Sequence, residues 1–176
     1  YVTHAMDEVA RLADHLVLMR EGRVEACGAL TDLMARTDLP LARLDEAGVV
    51  IDACVAEHDA LHGMTRIVFH GTSLWVGPSA ALLGQPVRAR IVARDVSVTR
   101  QPPVETSILN VLPVVLSSVQ REQSTAMLSL HADTGTPHSP WTLLARITTR
   151  SLDTLNLQTG DALYAQIKGV ALMRDA

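Results

Sequence analysis

Gly84-Gln-Pro-Val-Arg-Ala-Arg-Ile91 and Gly160-Asp-Ala-Leu-Tyr-Ala-Gln-Ile167 share the pattern Gly-x-x-[Val/Leu]-x-Ala-x-Ile, with the two glycines 76 residues apart, at 84 and 160. In both segments a glycine ends a turn and apolar residues then alternate, which is typical of a strand with one buried face. Repetition of one strand unit indicates that the region around it is built from two related halves. Short strands separated by turns favour small β-barrels as the fold of these halves.

Further strand candidates surround these two segments, from about residue 49 to residue 176. They are apolar runs bounded by turns that contain glycine or proline. The predicted strands span 50–57, 65–70, 73–76, 87–98, 111–119, 126–131, 143–147 and 162–172, and one short helix is expected at 151–157. We therefore predict a mainly β region at 49–176, with a first half at about 49–103 and a second half at about 104–176.

The first 36 residues have a different pattern, which predicts a small α/β unit. Apolar residues spaced three and four apart predict a helix over about 5–14. Two apolar runs around Glu21-Gly22 predict a β-hairpin, and a short helix is expected at 30–35. Tyr1-Val-Thr3 is interpreted as the end of a buried strand. Residues 37–48, with a proline and mixed charges, predict a linker between this unit and the β region.

Composition excludes several classes of protein. The chain has 176 residues, 48% of them hydrophobic, so a packed core is expected and global disorder is not. Aromatic residues make up only 3% and the net charge is −4, which argues against a nucleic-acid partner. No apolar run approaches the roughly 18 residues of a membrane span. The expected location of the chain is the cytosol.

The cysteines and histidines give no pattern typical of a metal site. Cys27 and Cys54 are far apart and are expected to be reduced thiols that fill apolar gaps. His58 and His62 have the i, i+4 spacing of a metal pair on a helix, but the glycine that follows favours a loop. We therefore predict no metal site.

The opening motif surrounds His4. Val2-Thr-His4-x-x-Asp-Glu8-Val is followed by an apolar strand, by Gly22-Arg-Val, and by Gly28 before a short helix. This order resembles the tail of an ABC-transporter ATPase domain, over about the first 34 residues. The resemblance implies that His4 is the switch histidine, which hydrogen-bonds the γ-phosphate of ATP and helps to position the attacking water. ATP and Mg²⁺ would be the cofactors of the full-length protein. Asp7 and Glu8 are expected to be solvated helix-start charges rather than catalytic acids.

The remaining parts of such an ATPase site are missing from this sequence. It contains no G-x-x-x-x-G-K-[ST] phosphate loop, whose amides and lysine hold the nucleotide phosphates. His4 alone has no nucleotide to contact, so this chain by itself is expected to be inactive toward ATP. We expect it to be the C-terminal part of a larger ATPase, with residues 1–36 as the remnant of the ATPase domain.

Motifs in the β region suggest a second family. Thr106-Ser-Ile-Leu-Asn-Val-Leu-Pro113, then Ala145-Arg-Ile-Thr148-x-x-Ser151, then Tyr164-Ala-Gln-Ile-Lys168 resemble the successive segments of molybdate-binding Mop domains, which belong to the TOBE class. Upstream, Leu74-Trp-Val76 and Ala93-Arg-Asp-Val-Ser97 look like the ATP-binding subunits of molybdate ABC importers. The resemblance implies an OB-like barrel fold for this region. It also implies a role in molybdate or tungstate import, with the Mop domain used for oxyanion sensing and dimer contacts.

Carried over by motif, five residues are candidates for binding or shaping an oxyanion site: Ser107, Asn110, Thr148, Ser151 and Lys168. Molybdate is a tetrahedral dianion that requires short donors and some positive charge, which hydroxyls and an ammonium group provide. The resemblance also implies a homodimer, because Mop sites commonly lie between subunits. A permease partner would hold the protein peripherally at the inner face of the cell membrane.

One departure from the Mop pattern leaves alternatives open. Many Mop domains have arginine where this chain has Leu109, and Arg146 and Arg150 are the nearby cations that could replace it. Alternatively, the serine and threonine residues only build a turn and a helix cap, and the domain keeps a structural role. Two further alternatives are the ATPase of another importer, for a sugar, polyamine or iron, and a standalone oxyanion-binding module.

Overall fold

The computed structural model describes residues 1–132 and 141–173. The elements in chain order are α1 (Met6–Leu12), β1 (His15–Arg20), β2 (Arg23–Ala29), α2 (Leu30–Met34), β3 (Gly48–Asp59), β4 (Met64–Phe69), β5 (Thr72–Val76), β6 (Pro86–Val92), β7 (Val96–Thr99), β8 (Asn110–Arg121), β9 (Thr125–Ala132), β10 (Thr142–Thr148), α3 (Thr149–Thr154), β11 (Ala162–Ile167) and β12 (Ala171–Met173). Short 3-10 helices lie at Pro40–Arg43 and Ala93–Asp95. In this part of the chain, no helix is long and apolar enough to cross a bilayer.

Two five-stranded antiparallel sheets carry the fold, beside the small β1–β2 hairpin. Sheet 1 has the order β12-β6-β3-β4-β5, and sheet 2 has the order β10-β9-β8-β11-β7. Each sheet contains four consecutive strands of one half and the last strand of the other half. Ala171 pairs with Arg90 in sheet 1, and Tyr164 pairs with Thr99 in sheet 2. The two halves therefore exchange their last strands.

Equivalent turns confirm that the repeat in the sequence is a repeat in the backbone. The amide of Gly84 donates to the carbonyl of Val55 at 2.7 Å, and the amide of Gly160 donates to that of Leu116 at 2.7 Å. Both glycines have positive φ values, 77° and 95°, which other residues rarely adopt. The repeated glycine therefore marks the same tight turn before β6 and before β11.

One hydrophobic core lies between the two sheets and is built mainly from aliphatic side chains. It includes Ile67 and Ile91 of sheet 1 and Leu128 and Ile167 of sheet 2, all at most 1% exposed. The prediction of a mainly β region is confirmed, and its two halves form two open sheets. A second, smaller cluster packs α1 and α2 against Val50 of β3.

Several predicted elements have different bounds in the structure. The strands expected at 87–98 and 162–172 are each interrupted, at residues 93–95 and 168–170, where the chain leaves one sheet and enters the other. Tyr1–Thr3 has no regular structure instead of ending a strand. The last predicted helix begins two residues early, at Thr149, because the side chain of Thr148 accepts a hydrogen bond from the amide of Ser151.

Candidate functional site

A cleft of about 530 Å³ lies where the two sheets meet. Sheet 1 contributes Met64 and residues 75–77, and the second half contributes residues 107–110 and 167–170. Three of the five predicted oxyanion residues line this cleft: Ser107, Asn110 and Lys168. The wall formed by sheet 1 was not predicted, because no signal in the sequence reports which strands of the two halves approach each other.

Lys168 supplies the positive charge of the cleft. It is the only lysine of the chain, its side chain is exposed, and it follows the last residue of β11. Its backbone amide donates to the carbonyl of Asp95 at 2.9 Å, which fixes the position of the chain at the crossing between sheets. The Asp95 carboxylate lies next to Gly169 and lowers the positive potential there. The cleft therefore offers one exposed point charge rather than a cluster of cations.

Asn110 joins the two halves at the floor of the cleft. It is buried, and its Oδ1 accepts from the amide of Trp75 at 2.7 Å while its Nδ2 donates to the carbonyl of Trp75 at 2.8 Å. One hydrogen of the amide and one lone pair remain after these two bonds. Its position indicates that Asn110 shapes the cleft by holding β5 against the start of β8.

The segment before Asn110 exposes both a hydroxyl and an apolar side chain. The amide of Ile108 donates to Oγ1 of Thr106 at 3.2 Å, so the backbone turns at this point. Ser107 is exposed in this turn, and Leu109 is 66% exposed at the position where many Mop domains have arginine. Arg146, one of the cations expected nearby, instead donates to the carbonyls of Ala42 and Leu44 in the linker.

The other two predicted oxyanion residues lie outside the cleft. Oγ1 of Thr148 accepts from the amide of Ser151 at 3.0 Å, and the two hydroxyl oxygens are 2.8 Å apart. These contacts cap α3, and they place both hydroxyls at one exposed corner of sheet 2.

Strand register gives the distance between the cleft residues and the hydroxyls of Thr148 and Ser151, which form the α3 corner of sheet 2. Ile167, next to Lys168, pairs with Asn110 at the first residue of β8. At the last residue of β8, Arg121 binds Asp153 of α3 through two contacts of 2.8 Å. A strand of this length, 12 residues, spans roughly 35 Å. The cleft and the α3 corner therefore lie at opposite ends of sheet 2, and one chain does not bring the five residues together.

His4 occupies an exposed bend immediately before α1. On one side of it, Oγ1 of Thr3 donates to a carboxylate oxygen of Glu8 at 2.7 Å, and the hydroxyl of Tyr1 donates to the same oxygen at 2.8 Å. These two hydrogen bonds, that of Thr3 first, lower the pKa of Glu8 below its ordinary value. Glu8 therefore lies at the surface, as expected, and also accepts two hydrogen bonds. The carboxylate of Asp7 is bound by Arg90.

The remaining histidines and cysteines that the structure describes are not arranged as a metal site. In residues 1–132 and 141–173, no cluster of three metal-ligating side chains occurs. Nδ1 of His62 lies 2.7 Å from the Asp59 carboxylate, and this hydrogen bond lowers the pKa of Asp59. Cys27 and Cys54 are both exposed, so the prediction that they fill apolar gaps is wrong. Cys27 instead lies on the outer face of the hairpin, with its Sγ 3.2 Å from Nε2 of His15.

Comparisons with known proteins identify the family. The TOBE domain family matches residues 106–173. Molybdenum import ATP-binding proteins ModC match almost the whole chain: that of Methylococcus capsulatus is 44% identical over 173 residues, ModC 1 of Azotobacter vinelandii is 46% identical over 175, and that of Aromatoleum aromaticum is 47% identical over 174. The chain belongs to the ModC family and corresponds to the C-terminal region of its members. This confirms the family that the sequence motifs predicted.

The matched region is only a part of these ModC proteins. It covers 98–99% of this chain but 45–48% of the three relatives, so the chain spans about half their length. Among solved structures, the cytoplasmic molybdate-binding protein ModG, with molybdate bound, has the same fold, with a TM-score of 0.61. That match covers 70% of this chain and 94% of ModG at 18% identity, which establishes likeness of fold alone.

Proposed function

We propose that this chain is the C-terminal part of an ATPase subunit that energises molybdate or tungstate import, and that its cleft binds the oxyanion. The observation that carries this proposal is the meeting of Ser107, Asn110 and Lys168 in one cleft, from sequence segments that are far apart. The ModC relatives support molybdenum as the metal of the transported ion, and ModG supports the ability of this fold to hold molybdate.

The chemistry of the cleft suits a tetrahedral dianion but leaves the site incomplete in one chain. Lys168 provides one charge and Ser107 one hydroxyl donor, whereas four anionic oxygens require more donors than these. Thr148 and Ser151 provide two further hydroxyls, at the opposite end of sheet 2. A homodimer in which the α3 corner of one chain faces the cleft of its partner would complete the site.

The N-terminal unit would serve the ATPase activity of the proposed full-length subunit. In the full-length subunit, His4 would donate a hydrogen bond to the γ-phosphate of ATP, while the phosphate loop and Mg²⁺ ligands would come from the part of the relatives that this chain does not span. Such a subunit would work on the cytoplasmic face of the membrane, bound to a permease. Oxyanion in the cleft would then report the internal molybdate level to the ATPase.

The unique lysine makes the binding proposal directly testable. We would titrate the chain with molybdate, tungstate, sulfate and phosphate by calorimetry, and also observe Lys168 after reductive ¹³C-methylation. We expect molybdate to bind more tightly than sulfate and to shift the lysine signal. Lys168→Ala should weaken binding on the order of tenfold or more. Arg23→Ala, which removes one exposed positive charge at the start of β2, is the matched control and should bind normally.

A complementation experiment tests whether the site is shared between chains. Ser151→Ala removes one hydroxyl and keeps the cap, because Oγ1 of Thr148 accepts from the backbone amide. Lys168→Ala and Ser151→Ala should each bind weakly, and their mixture should regain sites of full affinity, since a mixed dimer contains one intact site. Absence of molybdate binding by a folded dimer would favour the alternative role, in which the TOBE region only holds the dimer together.

A further inference from the structure

Arg90 is a buried cation in the middle of sheet 1. Its side chain is 4% exposed, and its backbone is fixed on both sides, by pairing with Val50 of β3 and with Ala171 of β12. Arginine is seldom buried to this extent unless its charge is compensated. The backbone of Arg90 is therefore held by both neighbouring strands.

The carboxylate nearest to Arg90 comes from the N-terminal unit. One terminal nitrogen of Arg90 donates to Asp7 in the first turn of α1, and the other donates to the carbonyl of Glu46 at 2.5 Å. Within the described residues, Nε of Arg90 has no hydrogen-bond partner. Asp7 is thus the nearer of two counter-charges, since the Glu46 carboxylate lies 4.0 Å from the guanidinium. Loss of Asp7 would leave a buried and incompletely satisfied cation with only that longer contact.

A second arginine holds the other end of the same helix. Arg88 lies two residues before Arg90 on β6, and therefore on the same face of the sheet. It donates to the carbonyl of Ala13, which follows α1, at 2.9 Å and to the carboxylate of Asp14 at 2.6 Å. The hydrogen bond to the Asp14 carboxylate, and after it the one to the Asp52 carboxylate, raises the pKa of Arg88. One strand of sheet 1 therefore binds α1 at its first turn and just beyond its last residue.

Hydrogen bonds hold the chain on both sides of His4. Thr3, directly before it, is bound to Glu8 of α1, and α1, which begins two residues after it, is bound to Arg90 through Asp7. The backbone of His4 therefore follows the orientation of α1, and the orientation of α1 follows β6. The sequence alone suggested no contact between residues 7 and 90.

We propose that Arg90 is a positioning residue for His4: by binding Asp7, it sets the angle at which α1 presents the histidine to the nucleotide. This inference rests on the proposed role of His4 in ATP hydrolysis. It gives the TOBE region a part in the geometry of the ATPase site, in addition to dimer contacts and oxyanion binding.

The test uses Asp7→Asn, which keeps the shape of an exposed side chain and removes the charge that Arg90 requires. Asp32→Asn is the matched control, because Asp32 lies exposed in the first turn of α2. In this chain, we expect amide hydrogen exchange in α1 to accelerate on the order of tenfold in Asp7→Asn, with sheets 1 and 2 unchanged. In the full-length subunit with ATP, kcat should fall on the order of tenfold with KM unchanged, because positioning is lost and nucleotide binding is not. Asp7→Glu should recover part of kcat.

The outcomes separate this inference from the proposed function. Unchanged exchange in α1 would overturn the inference, as would faster exchange accompanied by normal kcat in a protein that His4→Ala inactivates. Full activity of His4→Ala would refute the role of His4 itself, and the positioning of His4 with it. A fall in kcat for Asp7→Asn and Arg90→Lys, but not for Asp32→Asn, would support the inference that Arg90 positions His4.

Discussion

The two halves of the β region share a topology and differ in chemistry. Both contain a long bulged strand, a hairpin, a strand preceded by a positive-φ glycine, and a last strand given to the other half. Yet Asn110, which pairs with Ile167 and builds the cleft, corresponds in the first half to Val49, a buried apolar residue that pairs with Ile91. Apolar alternation and turn glycines therefore maintain the repeated fold, and a few polar residues of the second half alone carry the candidate site.

The largest expected effect comes from breaking the shared core at matched positions. Ile91 and Ile167 are the same position of the repeat, and both are at most 1% exposed. Each substitution by alanine should lower the free energy of unfolding by about 2–5 kcal/mol, since it removes buried methyl groups and leaves a cavity. Because one core joins both sheets, urea unfolding followed by circular dichroism should remain a single transition in both variants. Two separate transitions would mean that the halves are independent.

A smaller effect is expected where the halves are bonded to each other. Asn110→Ala removes both hydrogen bonds to Trp75 and should lower the free energy of unfolding by about 1–3 kcal/mol. Asn110→Asp keeps an acceptor for the Trp75 amide but loses the donor, so its stability should lie between those of the other two proteins. Tryptophan fluorescence would follow unfolding. Equal stability of Asn110→Ala and the unmodified chain would show that this bridge does not hold the halves together.

The smallest expected effect distinguishes the halves by pH. The amide of Leu82 donates to the side-chain oxygen of Gln85 at 2.8 Å, and the equivalent amide of Gln158 donates to the carboxylate of Asp161 at 2.9 Å. That bond, followed by the contact with Arg100, lowers the pKa of Asp161 below its ordinary value of 3.8. The carboxylate therefore stabilises the folded chain above pH 3.8, and this stabilisation is lost as the pH falls through the lower pKa of the folded state.

Asp161→Asn gives the second half a turn that does not titrate, like that of the first. We expect the difference in unfolding free energy between the unmodified chain and Asp161→Asn to shrink as the pH falls from 6 to below the pKa of Asp161. Denaturation at several pH values measures this difference, and Gln85→Asn, which changes a side chain without a charge, is the control. A difference that stays constant over this range would show that Asp161 has no part in the acid sensitivity.

The sequence predicted the elements of the fold better than their connections. Periodicity located the strands because alternation is a local property. The breaks at residues 93–95 and 168–170 lie inside patterns that continue to alternate, so 87–98 and 162–172 were predicted as single strands. Which sheet a strand joins depends on pairing with residues far away in the sequence, as for Ala171 with Arg90.

The candidate site was predictable to a similar extent. Ser107 and Lys168 were found through motif resemblance, and the cleft contains both. The sequence did not reveal that Trp75 would occupy the polar atoms of Asn110, nor that Arg90 would bind Asp7, because both contacts join segments without a local pattern. The distance between Thr148 and Lys168 could not be predicted either, because the order of motifs in a sequence does not determine how far apart they lie in the fold.

The exchange of last strands has a consequence for the biosynthesis of this protein. A ribosome releases β6 well before β12, so sheet 1 keeps an unpaired edge at β6 until the second half has been translated. Unpaired edges of this kind are sites where nascent chains aggregate or recruit chaperones. The first half cannot reach its final sheet while it is being made, and a product that stops early would expose that edge permanently. The cell could therefore distinguish finished from unfinished copies by a single strand, Ala171–Met173.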